Sequence, residues 1–326
     1  MPGPWLTLRR RVLTPDVSDT DLAKRGFRIG AAAARTTLQD AGRSFVGGYA
    51  AAAGTRSPAG AEALLEQTPA PLRGFAYEGA AMAYAVMDGL RLGRDGVARF
   101  LAGPGAAHVY MVHVGAGWAL GRLPRWRWRA VFPRDPLLRW LALDGYGFHQ
   151  AYFRTARYVR DRHEEDTAAW PVPGLGGYGR RAIDQGIGRA LWFVECADVD
   201  AVAATVAGFP ARRHQDLYGG VGLAATYAGG VGEDALNRLW EHAGAHRPAV
   251  AQGAAFAAKA RERAGLVTPH TELATAVLCG LSAAAAAKLC DETLAGLPDG
   301  PEDGERPAYA RWRERIAGEL RQLGRC

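Results

Sequence analysis

One carboxylate stands out by its surroundings. Glu78 sits in Phe75-Ala76-Tyr77-Glu78-Gly79-Ala80-Ala81-Met82-Ala83-Tyr84. On a helix it shares a face with Phe75, Met82 and Ala85, while Tyr77 and Tyr84 line another. Such a helix is apolar nearly all round and is predicted to be buried. A carboxylate there has its pKa raised unless it is paired, which is how a general acid is made. The competing role is structural: a buried glutamate bonded to a neighbouring helix end or to an arginine.

The other titratable candidates are weaker by spacing. Asp144 and His149 frame Gly145-Tyr146-Gly147-Phe148. Five residues turn a helix by about 140°, so the two do not pair unless a helix starts between them. His149 could shuttle a proton, although a satisfied core histidine is the commoner case. His108 and His113 share that spacing. Asp184 and Glu195 flank a run ending in Ala190-Leu191-Trp192-Phe193-Val194. They project from one stripe but lie roughly 16 Å apart, too far for a glycosidase-type pair. The expectation is that Asp184 caps or ends a turn and Glu195 closes the helix. His242 and His246 have metal-pair spacing beside Glu241, but Gly244 interrupts them and no third ligand is near, so no metal site is predicted. His163-Glu164-Glu165-Asp166 reads as a solvated loop. Gly174, Gly176 and Gly179 spell GxGxxG, but Trp170-Pro171-Val172-Pro173 precedes them instead of a strand, so a dinucleotide site is rejected. No GxSxG is present.

The elements that must position these groups are helices. Asp135-Pro136, Thr268-Pro269 and Ser57-Pro58 read as N-caps followed by proline at the first helical position. Leu281–Leu289 is alanine-rich, with high helix propensity. The clearest alternation, Arg125-Trp126-Arg127-Trp128-Arg129, is too short and isolated to imply a sheet. It reads as an exposed connection whose tryptophans tuck against the core, or as a docking surface for an acidic carrier protein or a membrane. A Gly-x-Gly pair opens an apolar segment at Gly115/Gly117, Gly145/Gly147, Gly186/Gly188 and Gly220/Gly222, the second glycines falling 30, 41 and 34 residues apart. That spacing fits one helix pair per repeat, each glycine letting a helix start press against a neighbour's backbone. The fold class expected is all-α, a stacked helical-repeat single domain, solenoid- or toroid-like. Residues 26–297 are expected to form the repeat domain, with 1–25 as an N-terminal extension and 298–326 as an acidic connection and terminal helix.

Composition narrows the classes. With 326 residues, 48% of them hydrophobic, the chain can bury a sizeable core. The net charge of +7 comes almost wholly from scattered arginine, and no recognition motif accompanies it, so nucleic acid is not an expected partner. Cys196, Cys279, Cys290 and Cys326 show no CxxC spacing, the N-terminus does not read as a signal peptide, and no stretch is long enough to span a membrane. A cytoplasmic protein is expected.

Several strings together carry a family likeness. They are Arg73-Gly74-Phe75-Ala76-Tyr77-Glu78-Gly79-Ala80-Ala81-Met82, His113-Val114-Gly115-Ala116-Gly117-Trp118-Ala119-Leu120, Leu143-Asp144-Gly145-Tyr146-Gly147-Phe148-His149 and Asp184-Gln185-Gly186-Ile187-Gly188-Arg189, then Gly220-Val221-Gly222-Leu223-Ala224, Gln252-Gly253-Ala254-Ala255-Phe256-Ala257 and Pro269-His270-Thr271-Glu272-Leu273. From about Gly26 to about Ala287 the chain resembles the UnbL-type family, a domain of unknown function encoded beside the iterative polyketide synthase in actinomycete enediyne clusters. The resemblance implies a role beside that synthase, its thioesterase, and proteins of the UnbU (membrane) and UnbV types. It brings no catalytic residue and no cofactor with it.

The expectation is a protein that acts on or binds the hydrophobic, polyene-derived intermediate in a dry pocket, with a peripheral membrane contact allowed by its basic surface. Glu78 leads the proton-handling candidates, followed by Asp184, His149 and Asp144. Tyr77, Met82, His113, Trp118, Trp192 and Glu195 are the expected pocket residues. The alternative is a helical scaffold without chemistry that bridges the synthase and the membrane partner. Convergence of the polar residues on one cavity favours the first; dispersal favours the second.

Overall fold

A computed structural model describes residues 3–93, 95–297 and 305–324. Among them are sixteen α-helices and no strand. In chain order these are α1 (Pro4–Leu13), α2 (Ala32–Gly54), α3 (Pro58–Leu65), α4 (Ala70–Gly89), α5 (Gly96–Leu101), α6 (Val109–Leu120), α7 (Arg125–Val131) and α8 (Trp140–Phe153). There follow α9 (Tyr178–Val194), α10 (Val199–Ala207), α11 (Ala211–Tyr227), α12 (Glu233–Ala243), α13 (Arg247–Arg263), α14 (Pro269–Cys279), α15 (Ala283–Leu294) and α16 (Ala308–Gln322).

Local chemistry sets several starts. Ser57, Asp198, Thr268 and Ser282 each accept from a backbone N–H in the first turn of α3, α10, α14 and α15, which satisfies donors the helix itself cannot. Asp135 accepts from the N–H groups of Leu137 and Leu138, ordering the turn that leads into α8.

Helices α2, α4, α6, α8, α9, α11, α13 and α15 each pack on the next to form a row. The shorter connecting helices lie outside it, α10 on α12 and α12 on α14. The row bends until α13 touches α6. Arg261 of α13 fastens the return, donating to Tyr227 O at 2.6 Å and to Pro71 O, in the first turn of α4, at 3.0 Å. One contiguous apolar core runs from Leu22 to Leu320.

The glycine pairs make this row, though not from helix starts. They lie in the middle of α6, α8, α9 and α11. A methyl at Gly115 would lie 2.1 Å from Glu78 O on α4, and one at Gly117 would lie 2.0 Å from Ala142 O on α8. Across the same joint, Gly145 of α8 faces Val114 O of α6, while Gly147 faces Ile183 O of α9. Two residues turn a helix by about 200°, so each pair serves the neighbours on opposite sides. Backbone meets backbone closely enough for Cα–H···O contacts.

Two other expectations change. The Arg125–Arg129 run is the helix α7, with Trp128 buried and Trp126 exposed. Glu165 is not solvated: it is buried, accepting from Tyr146 Oη at 2.9 Å and from Tyr158 Oη, with Arg125 Nη2 at 3.1 Å. Cys196, Cys279 and Cys290 are buried, while Cys326 and residues 298–304 of the acidic connection lie outside the described residues. No single described helix is long and apolar enough to cross a membrane.

Candidate functional site

Helix α4 is buried along almost its whole length, so a polar side chain on its inner face is largely withdrawn from water. Glu78 is there, 2% exposed. It forms part of the wall of a partly open cavity of about 70 Å³. The remaining wall is mostly apolar: Phe45 from α2, Phe75 and Met82 from α4, Trp118 from α6, Phe148, Tyr152 and Phe153 from α8, and Phe193 from α9. Arg122, Arg189, Pro15, Asp19 and Thr20 also line it.

Two groups hold Glu78. The indole N–H of Trp118 donates to Oε1 at 3.0 Å, and Arg189 Nη2 lies 3.7 Å from the same oxygen, too long for a hydrogen bond. Arg189 is committed more closely elsewhere, through Nη1 to Asp144. Its guanidinium also lies 5.3 Å from the centre of the Phe148 ring. Two buried carboxylates therefore share one cation, and a single proton balances the set. Glu78 is placed to carry such a proton near neutral pH. Burial pushes its pKa up to about 7, Arg189 and the Trp118 hydrogen bond pull against that, and Asp144 adds to it. Burial raises Asp144 as well, opposed by the contact with Arg189.

Arg189 also borders a second, smaller cavity of about 40 Å³ that receives Asp144, with Tyr110, Tyr227, Phe256 and Tyr309 among its walls. The guanidinium thus stands between two chambers, with one carboxylate reaching each. Glu78 can donate or accept a proton near neutral pH at an apolar surface, which suits general acid–base work on a hydrophobic molecule. Among the described residues no group of three or more His, Cys, Asp or Glu side chains could hold a metal ion.

A family model described as "Protein of unknown function (DUF1702)" matches residues 4–320. The chain belongs to the DUF1702 family. No curated protein and no solved structure matches it. The DUF1702 match runs from the first residue of α1 into the last turn of α16, so every residue of both cavities falls within it.

Of the residues singled out in sequence, this DUF1702 chain brings Glu78, Met82, Trp118 and Asp144 to the shared site. His149 is next to it, with its ring 5.8 Å from that of Trp118, but its Nδ1 has no hydrogen-bond partner among the described residues. Burial pushes its pKa down to about 3. Both Asp144 and His149 lie within α8 and do not pair, as their spacing requires.

The remaining candidates are elsewhere. Asp184 does not cap a turn: it sits within α9 and accepts three hydrogen bonds from Arg213 at 2.6–3.1 Å, its pKa raised by burial to about 6. Tyr77 stacks on His108 at 3.7 Å and donates to Glu66 Oε1 at 2.7 Å. His113 bonds Val109 O one turn back at 2.8 Å, and Trp192 donates to Gly229 O at 2.9 Å. Glu195 caps the end of α9, accepting from Thr205 Oγ1 at 2.9 Å. Asp184, Tyr77, Trp192 and Glu195 tie their helices to neighbouring segments, while His113 bonds within its own helix. What sequence reasoning missed is Arg189, the hub of the site. Its signal was available: a charged residue inside the apolar run Gly186–Val194 must find a partner.

Proposed function

We propose that the aromatic-lined cavity binds an elongated hydrophobic small molecule and that Glu78 gives or takes a proton on it. The observation that carries this reading is the position of Glu78: a carboxylate titrating near neutrality, held by Trp118, on the wall of a cavity lined mostly by aromatic and aliphatic side chains. Protonated, it donates to a carbonyl or enol oxygen; ionised, it abstracts a proton activated by conjugation. The likeness to the UnbL-type family supplies the setting. On this reading the DUF1702 chain works in enediyne polyketide biosynthesis, on the polyene-derived intermediate during core formation, beside the polyketide synthase and the UnbU- and UnbV-type proteins. The row of helices is read as a stack of repeats on a solenoid- or toroid-like course. The recurring glycine pairs and the return of α13 to α6 support this.

The test is product formation by the host cluster after Glu78→Gln, with circular dichroism and thermal melting of the purified variant. Loss of product with an intact fold supports proton handling or recognition at Glu78. Normal product overturns it. The second reading, a helical scaffold bridging the synthase and the membrane partner, draws on the dispersal of Tyr77, His113, Asp184, Trp192 and Glu195 into structural bonds. Normal product from Glu78→Gln would favour it.

A further inference from the structure

Helix α1 has two apolar faces, and only one is covered. Leu6 points inward and is buried. Arg9 pins the helix to the end of α2, donating through Nε to Ala53 O at 2.7 Å and through Nη2 to Thr55 O at 2.5 Å. Trp5, Leu8 and Val12 recur at i, i+3 and i+7, within about 60° of arc. They are 61, 52 and 69% exposed. Single exposed apolar side chains need no explanation, but three on one face of a docked ten-residue helix do. Arg10 and Arg11 are exposed on the same helix, and residues 3–15 contain no acid.

The chain leaving α1 leads directly to the cavity. Pro15, Asp19 and Thr20 form part of its wall. A second exposed aromatic is tethered to the wall in the same way: Arg122 lines the cavity, and four residues on, Trp126 is 70% exposed, with the Arg127 guanidinium 4.2 Å from its ring centre. Exposed tryptophan with arginine is therefore attached to two separate parts of the cavity wall.

We propose that α1, assisted by Trp126, is a peripheral anchor that seats the cavity against an anionic lipid surface. The apolar stripe enters the headgroup–acyl boundary while Arg10, Arg11 and Arg127 meet lipid phosphates. Charge complementarity selects this occupant, because an acid-free basic helix repels its own copy in a chain of net charge +7. Tryptophan is at home at that depth, with an apolar ring and one polar edge. A hydrophobic ligand then exchanges between bilayer and cavity without crossing bulk water. The anchor does not depend on the role assigned to Glu78.

The test is co-sedimentation of the full chain with vesicles of phosphatidylcholine, and of phosphatidylcholine mixed with phosphatidylglycerol, at low and high salt. Wild type is expected to pellet with the mixed vesicles and to be released by salt. Leu8→Asp combined with Val12→Asp should reduce the bound fraction roughly tenfold, and Arg11→Glu should remove the preference for phosphatidylglycerol. Both positions of the double variant are exposed, so circular dichroism should match wild type. Leu323→Asp, at an exposed leucine after α16, should bind as wild type does. Glu78→Gln should also bind normally, which separates failure of the anchor from failure of the proton-handling reading. Wild type remaining in solution with both vesicle types overturns the proposal. So does equal pelleting of the double variant, or a stripe that mediates self-association or capture of an acidic protein while ignoring vesicles.

Discussion

Trp118 on α6 donates its indole N–H to Glu78 on α4 at 3.0 Å, so the aromatic wall of the cavity and its titrating group are one unit. The bond favours the ionised carboxylate, against the burial that favours the neutral one. Folded Glu78 keeps its proton to about pH 7, whereas an unfolded glutamate loses it near 4.5. The folded state binds the extra proton between those values, so Glu78 makes stability fall as pH rises through that window. Trp118→Phe keeps the ring but removes the donor. It should cost about 1–2 kcal/mol more at pH 8 than at pH 5. Urea unfolding at the two pH values checks this; an equal loss at both would reduce Trp118 to packing.

Arg189 is the only group among the described residues that an ion pair joins to both Glu78 and Asp144. Arg189→Met leaves two buried carboxylates without their cation and is expected to cost about 3–5 kcal/mol at pH 8. The loss should shrink at pH 5, as protonation removes the uncompensated charge. Arg189→Lys should rescue poorly, since one ammonium cannot take over the two separate directions of Nη1 and Nη2. Chemical denaturation across pH reads both effects, and a pH-independent loss would contradict the shared-cation arrangement.

The sequence made Glu78 legible because its neighbours are apolar on every side of a helix. It did not reveal Arg189 as partner, because a contact between α4 and α9 leaves no trace in local spacing. Asp184 shows the limit from the other side. Its local setting resembles that of Glu78, yet Arg213 grips it in a dedicated pair, while Glu78 has only a loose share of its cation. The glycine pairs pointed to close approach but read as helix starts, since glycine is a poor interior residue. Backbone contact with both neighbours overrides that preference in the middle of α6, α8, α9 and α11. Residues two apart also lie on opposite sides of a helix, which is how an alternating Arg/Trp run folds as α7 with Trp128 inward and Trp126 outward.

The notches separate two kinds of helical glycine. A methyl at Gly186 would lie 1.8 Å from Asp144 O, backbone that cannot rotate away, while one at Gly318 in α16 would meet nothing within 4 Å. Gly186→Ala should force α8 and α9 apart, with a loss of about 3 kcal/mol or more, or no folded protein. Gly318→Ala should stabilise by about 0.5–1 kcal/mol through helix propensity and a stiffer unfolded chain. Melting temperatures of the pair check the row geometry, and a harmless Gly186→Ala would refute the close approach.

His149 carries the opposite pH signature to Glu78. Burial holds its folded pKa down to about 3, with Arg122, Arg154 and Arg25 adding to the depression, against an ordinary value of 6.5. Below pH 6.5 the unfolded chain gains a proton that the folded one refuses, so His149 makes stability fall as pH drops. Its Nδ1 is buried without a hydrogen-bond partner among the described residues, and its ring packs near Trp118 and Phe153. His149→Phe preserves an aromatic there and removes the titration. The variant should gain about 2 kcal/mol over wild type on moving from pH 8 to pH 5. If product formation also survives, His149 is a core residue; if product is lost while stability rises, the proton-shuttle role regains its claim. Paired urea titrations at the two pH values, with the host product assay, decide between them.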